Sequence, residues 1–149
     1  MTAKATFVDT AGWMMLSDAS DAAHGRAKVF RDTWLERRGI FVSTDFVLDE
    51  TLTLLRMRLG LDAAERWWNQ VEGSARLVWE SIDASRAEKA RRWFFRWRDK
   101  AFSFTDCTSF VVMKERRLRT ALTSDRHFLQ AGFQIVPKPV GSGRADSAR

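Results

Sequence analysis

The chain has a single cysteine, Cys107, no tyrosine, and no long hydrophobic run. One thiol excludes an internal disulfide and leaves no second thiolate for a structural zinc site. A fold of this chain must therefore rest on an apolar core. Its 149 residues suffice for one domain, because a chain of this size buries roughly two thirds of the surface its unfolded form exposes. No stretch approaches the ~20 apolar residues that cross a bilayer, and the apolar run within Met1–Asp9 is too short for a signal peptide. No membrane association is expected, and the expected setting is the reducing cytoplasm. The missing tyrosine, beside 7 Trp and 11 Phe, carries no functional meaning. Negative charge is also in short supply: 19 Asp plus Glu stand against 25 Lys plus Arg, a net +6 with a pI near 10.2. Clustered cations attract phosphate chains, so the balance points to a polyanionic partner.

Short apolar runs at residues 5–8, 40–44, 75–79, 119–123 and 133–137 predict strands. Helical patterns lie between them. Leu48, Leu52, Leu55 and Leu59 form a stripe on a helix over 45–59. Gly60 closes that helix, and Asp62 is expected to cap the next one, which runs through Trp67 and Val71. Strands separated by helices imply parallel pairing through right-handed crossovers, hence an α/β fold: a three-layer α/β/α sandwich around a mainly parallel sheet. Residues 1–140 are expected to form one domain. The tail 141–149 has nothing to bury and is expected to be disordered.

Four acids stand out. Asp9 sits where the first strand ends and a helix begins, which suits either a helix N-cap or a ligand at the carboxyl edge of a parallel sheet. Asp106 follows Ser103 by three residues and reads equally as part of a capping box opening a helix over 107–117. Asp125 again lies after a strand and before a short helix. Glu50 shares a helix face with Phe46, Thr53 and Met57 rather than with charged groups, so it is expected to need a cationic partner against the cost of burial. Carboxylates without Cys or His are a ligand set for hard cations such as Mg²⁺ or Mn²⁺, which can direct water at a phosphodiester.

The order Asp9, Glu50, Asp106, Asp125 resembles that of PIN-domain proteins of the VapC toxin type. The resemblance spans roughly residues 5–137. It rests on Val8-Asp9-Thr10 and, more specifically, on Ser103-x-x-Asp106 and Asp125-x-x-Phe128-x-x-x-Gly132-Phe133. It implies a PIN-like fold and a Mg²⁺- or Mn²⁺-dependent endoribonuclease, the toxin of a toxin–antitoxin pair. Asp9, Glu50 and Asp106 would be its main metal-binding acids and Asp125 a more variable fourth. Thr10 and Thr123 match polar positions that support such a site, and Thr105 either does the same or caps a helix. A cognate antitoxin and a homodimer are further implications. Two alternatives remain: a PIN nuclease of RNA processing without an antitoxin, and a non-catalytic RNA-binding PIN module, against which the four retained acids argue. A haloacid-dehalogenase-type phosphatase would want an acid where Ala11 stands, and the late lysine of a receiver domain has no counterpart.

His127 beside the acids is either a phosphate contact or a structural hydrogen-bonding residue. Arg126 is either a phosphate contact or a solvated side chain. The segment Arg86–Lys100 predicts a basic helix packing through Ala87, Ala90, Phe94 and Trp97, with Trp93 flanking that face. Phe95 falls among Glu88, Arg91, Arg92, Arg98 and Asp99. There it could stack an RNA base beside phosphate-binding Arg91 and Arg92, or contact another protein chain, the preferred reading.

Overall fold

A computed structural model describes residues 4–140; the tail expected to be disordered, 141–149, lies outside them. The elements run β1 (Ala5–Val8), α1 (Thr10–Ser17), α2 (His24–Glu36), β2 (Ile40–Thr44), α3 (Asp45–Leu59), α4 (Leu61–Val71) and β3 (Leu77–Glu80). They continue as α5 (Ala84–Arg96), α6 (Phe104–Glu115), β4 (Thr120–Leu122), α7 (His127–Gln130) and β5 (Gln134–Val136). The five strands form one sheet in the order β3-β2-β1-β4-β5, with every pair parallel. Helices flank it, as the alternation of strand and helix predicts. α1 packs on α2 and α3, α3 on α4, and α5 on α6.

The core follows from the apolar runs. Phe7, Val8, Val42 and Leu122 are fully buried in the central strands. Every residue of α6 from Cys107 to Met113 is buried, as befits a helix enclosed on all sides. Phe110 of α6 gathers the rings of Phe102, Phe128 and Phe133 at centroid distances of 5.0, 5.0 and 5.6 Å.

Several boundaries differ from expectation for local reasons. β3 starts at Leu77 because the Leu77 N–H closes a turn on the Ser74 carbonyl at 3.4 Å. α4 is opened by Gly60, at φ +97°, without a side-chain cap; Asp62 lies in its first turn, where its charge complements the helix dipole. The fully buried residues of α3 are Val47, Thr51 and Leu55, while Leu59 is 39% exposed at the helix end. α6 begins earlier than expected, at Phe104, because Ser103 caps it. α5 stops at Arg96, which leaves Trp97 outside the helix. Its core contacts come from Ala87 and Ala90, as expected, and from Trp93, whose ring lies 5.3 Å from Phe110.

Candidate active site

The strand order reverses direction between β1 and β4, and in such sheets the crevice at the carboxyl ends of the two strands is where ligands bind. Val8 pairs with Leu122 at that edge, so Asp9 and Thr123, the next residues, stand side by side. Helix α3, leaving β2, brings Glu50 over the crevice, and the start of α6 brings Asp106. Asp9, Glu50, Asp106 and Asp125 line one cavity of about 220 Å³, together with Thr10, Thr105, Ser109 and Arg58.

Capping and cavity-lining prove compatible for the aspartates. Asp9 caps α1, its Oδ1 accepting the Gly12 N–H at 2.9 Å. Asp106 Oδ2 accepts the Ser103 N–H at 3.0 Å while Ser103 Oγ accepts the Asp106 N–H at 2.9 Å, a complete capping box. Asp125 Oδ1 accepts the His127 N–H at 2.9 Å, and Thr123 Oγ1 accepts the Asp125 N–H at 2.9 Å. In each case a backbone N–H holds one carboxylate oxygen. The alternative between helix cap and ligand therefore dissolves, because a carboxylate has two oxygens.

Burial dominates the electrostatics. Removal of Asp9 from water raises its pKa from 3.8 to about 8, and Asp125 and Asp106 add to the rise, against the lowering by Gly12 N–H and the Thr123 hydroxyl. Burial also raises Asp106, with Asp125 adding to it; the Ser103 N–H and His127 act in the opposite direction. Among the described residues, Asp106, Asp125 and His127 bring three possible ligating atoms within 4.8 Å of one another. Asp9 and Glu50 line the same cavity without joining that group.

Glu50 corrects an expectation. It is exposed, as are Thr53 and Met57 on its face, Met57 by 76%. Burial cost therefore does not demand a partner for it; its place in the site comes from facing the cavity. Thr10 is buried beside Asp9, its hydroxyl accepting that of Thr51 at 3.4 Å, and the Thr105 carbonyl accepts the Thr108 hydroxyl at 2.6 Å. Arg126 is exposed and does not line the cavity. Arg91 and Arg92 both pair with Glu88 on α5, also away from it. Phe95 is exposed as expected, by 59%. Its ring meets Phe94 at 5.3 Å, Phe94 meets Phe104 at 6.1 Å, and Phe104 meets Phe46 at 6.4 Å. That aromatic row begins at the rim, where Phe46 lines a shallow depression with Glu50 and Thr105.

Among the lining residues the sequence reading left out are Arg58, Ser109, Asp21 and Ser124. Arg58 had a usable signal, since Glu50, Leu54 and Arg58 follow at i, i+4 and i+8 on one face of α3. Ser109 follows Asp106 by three residues on α6, a spacing that shares a face. Asp21, in the turn between α1 and α2, had no pattern to mark it. A larger cleft of about 380 Å³, lined by Trp13, Trp67, Arg31, Arg66 and Arg76 among others, contains no carboxylate and cannot do the same chemistry.

The residues suit a hard divalent cation. The donors are oxygens, and Ser109 Oγ is buried in the same lining without a hydrogen-bond partner. A buried Asp9 flanked by two acids ionises readily only beside positive charge.

This parallel sandwich with an acid-lined crevice at its switch point is of the PIN-like class. FitAcB from Neisseria gonorrhoeae has the same fold, with a TM-score of 0.61 at 16% identity over 87% of this chain and 95% of that one. The 23S rRNA-specific endonuclease VapC20 of Mycobacterium tuberculosis is 36% identical over 130 residues, which is 87% of this chain and 96% of the relative. The crystal structure of that protein, described as a sarcin-ricin loop cleaving toxin, superimposes with a TM-score of 0.78 at 35% identity over 86% of this chain and 95% of its own. No protein-family model matches the chain. The chain belongs to the VapC-type PIN-domain ribonucleases.

Proposed function

We propose that this ribonuclease is a Mg²⁺- or Mn²⁺-dependent endoribonuclease, the toxin of a toxin–antitoxin pair, acting in the cytoplasm on a looped segment of ribosomal RNA. The observation that carries the metal dependence is the meeting of Asp9, Glu50, Asp106 and Asp125 in one cavity at the switch point. A backbone N–H holds one oxygen of each of Asp9, Asp106 and Asp125, and the second oxygen of each is the candidate donor to an ion. Glu50 adds a carboxylate from the opposite wall. The chemistry such an ion supplies when bound is Lewis acidity and positive charge at a phosphodiester. Arg58, the cation in the cavity wall, offers a contact to an RNA phosphate. Thr10 and Thr123 hold the β1 and β4 ends of the site in place.

The looped rRNA substrate and the antitoxin partner rest on likeness to the mycobacterial relative, the former on its printed specificity. Among the described residues no helix is long and apolar enough to cross a membrane. Residues 1–140 are taken as the nuclease domain.

The test is cleavage of ribosomal RNA with Mg²⁺, Mn²⁺ or EDTA, comparing the native chain with Asp9→Asn and Asp106→Asn. Cleavage is expected to need the ion and both acids. Activity that persists in EDTA, or that survives both substitutions, refutes the mechanism. Growth arrest on expression, relieved by co-expression of a small neighbouring reading frame, tests the toxin role; absence of toxicity at every level refutes it.

A further inference from the structure

His127 opens α7, directly after the loop that carries Asp125. Its Nδ1 lies 2.8 Å from Asp106 Oδ2 and 3.4 Å from Asp125 Oδ1. Both neighbours are carboxylate oxygens and only accept hydrogen bonds when ionised, so Nδ1 must carry the proton. The ring is braced from the side by Phe102, whose centroid is 5.6 Å away at an interplanar angle of 80°.

The acids it joins come from separate elements. Asp106 belongs to α6 and Asp125 to the loop after β4. Two carboxylates this close repel, and the charge of Asp125 adds to the rise that burial gives Asp106. The Nδ1–H donates to Asp106 Oδ2, which also accepts the Ser103 N–H, while Asp125 Oδ1 accepts the backbone N–H of His127, so one residue holds an oxygen of each acid. Among the described residues, Asp106 Oδ1 and Asp125 Oδ2 are thereby left without a hydrogen-bond donor.

We infer that His127 is a positioning residue: its Nδ1–H, on Asp106, and its backbone N–H, on Asp125, clamp the two acids at the spacing a shared divalent cation requires, and its ring neither ligates the ion nor touches the RNA phosphate. The inference rests on the reading of the acid cavity as a cation site. Residues that orient metal-binding carboxylates in this way are worth about 10–100-fold in metal affinity.

Two substitutions separate the roles, because the amide nitrogen of Asn reaches the place of Nδ1 and that of Gln the place of Nε2. Mn²⁺ affinity of the full chain, without RNA, is read by titration calorimetry for the native protein, His127→Asn, His127→Gln and His127→Ala. Folding is checked by thermal melts in EDTA. The clamp predicts near-native affinity for Asn and a loss of about 10–100-fold for Gln and Ala. Retention by Gln with loss by Asn overturns it in favour of direct contact through Nε2. Equal affinity in all four proteins also overturns it.

If the variants do not fold, long-range proton–nitrogen NMR of the native chain decides, since only His24 and His127 contribute imidazole signals. His127 is expected to keep its proton on Nδ1 with and without Mg²⁺; transfer of that proton to Nε2 overturns the clamp. Failure of the cation site itself is distinguishable: Asp9→Asn would then leave Mn²⁺ affinity unchanged, whereas failure of the clamp alone leaves that loss intact.

Discussion

Gly12 donates its N–H to Asp9 Oδ1 at 2.9 Å, and a Cβ built on Gly12 would stand only 2.0 Å from the Leu122 carbonyl oxygen. One residue without a side chain thus lets the first turn of α1 sit against β4 and, from the same position, fixes the acid at the end of β1. Gly12→Ala is expected to force α1 away from the sheet at a cost of roughly 1–3 kcal/mol, and to lower cleavage activity further because Asp9 moves with the turn. Urea unfolding and cleavage rates check this. An unchanged unfolding midpoint would show that the close approach is not a constraint.

The raised pKa of Asp9 sets a sign for pH dependence. The folded value of about 8 stands above the ordinary 3.8, so the folded state holds a proton that the unfolded chain gives up. Its contribution to stability is fully present below the ordinary value and is lost as pH rises through the folded one. A divalent cation favours the ionised acid and opposes the loss. Melting temperature in EDTA is therefore expected to fall from about pH 5 to about pH 8, less steeply in Asp9→Asn, and Mn²⁺ should stabilise more at the higher pH. A cation effect that is the same at both pH values would count against Asp9 as its ligand.

Much of this site was legible because its acids stand at punctuation points. Asp9 and Asp125 follow apolar runs, and the Ser103–Asp106 spacing marks a helix start, so strand ends and caps located them. Strands at 40–44 and 5–8 were legible for the same reason. Glu50 was singled out from its helix face and then by the family resemblance; the first argument, from burial, fails because that face is open to solvent, and the second stands without it. Asp21 was invisible, since a turn residue between helices has no period. α2 sets Ala27, Phe30 and Trp34 against the core at i, i+3 and i+7, a stripe the sequence reading did not assign to a helix. The clamp by His127 depends on α6 and the β4–α7 loop meeting across 21 residues of sequence, which no local pattern encodes.

Arg58 is the cation among the residues lining the acid cavity. Its guanidinium can engage a phosphate in two parallel hydrogen bonds, which a lysine cannot. Arg58→Ala is expected to weaken RNA binding and lower the slope of log affinity against log salt by about one, leaving Mn²⁺ affinity without RNA unchanged. Salt-dependent binding to an uncleavable RNA measures both. An unaltered slope would remove Arg58 from the phosphate path.

Away from the site, Arg86 ties three elements together. It donates to Glu80 of β3 at 2.8 Å and to Glu115 of α6 at 3.0 Å, while Arg116 also reaches Glu80 and Lys89 reaches Glu115 at 3.1 Å. Partial burial would raise both glutamates, but these cations outweigh it and hold them below the ordinary 4.5. The sign is opposite to that of Asp9: the contribution is present above the ordinary value and is lost as pH falls through the lowered one. Arg86→Gln should cost about 1 kcal/mol at neutral pH, and the difference from the native chain should disappear in acid. A deficit that persists at low pH would mean that packing, not charge, is what Arg86 contributes.

The row Phe46, Phe104, Phe94 and Phe95 is a contiguous apolar surface, with Phe104 37%, Phe94 39% and Phe95 59% exposed. Monomeric proteins seldom leave such a patch uncovered, and aromatic centres rimmed by arginine are typical of protein contacts. Arg91 and Arg92 supply the rim here, each already paired with Glu88, so neither is free to meet phosphate without losing that partner. The patch therefore favours a protein contact over an RNA base, and the homodimer that the family resemblance implies is the contact to test. Phe95→Glu is expected to weaken self-association by roughly 30-fold or more, equivalent to about 2 kcal/mol at an interface centre, while Mn²⁺ affinity stays native. Light scattering over a concentration series reads the mass. If the mass is unchanged and affinity for uncleavable RNA falls instead, Phe95 is a base-stacking residue and the second copy binds elsewhere or not at all.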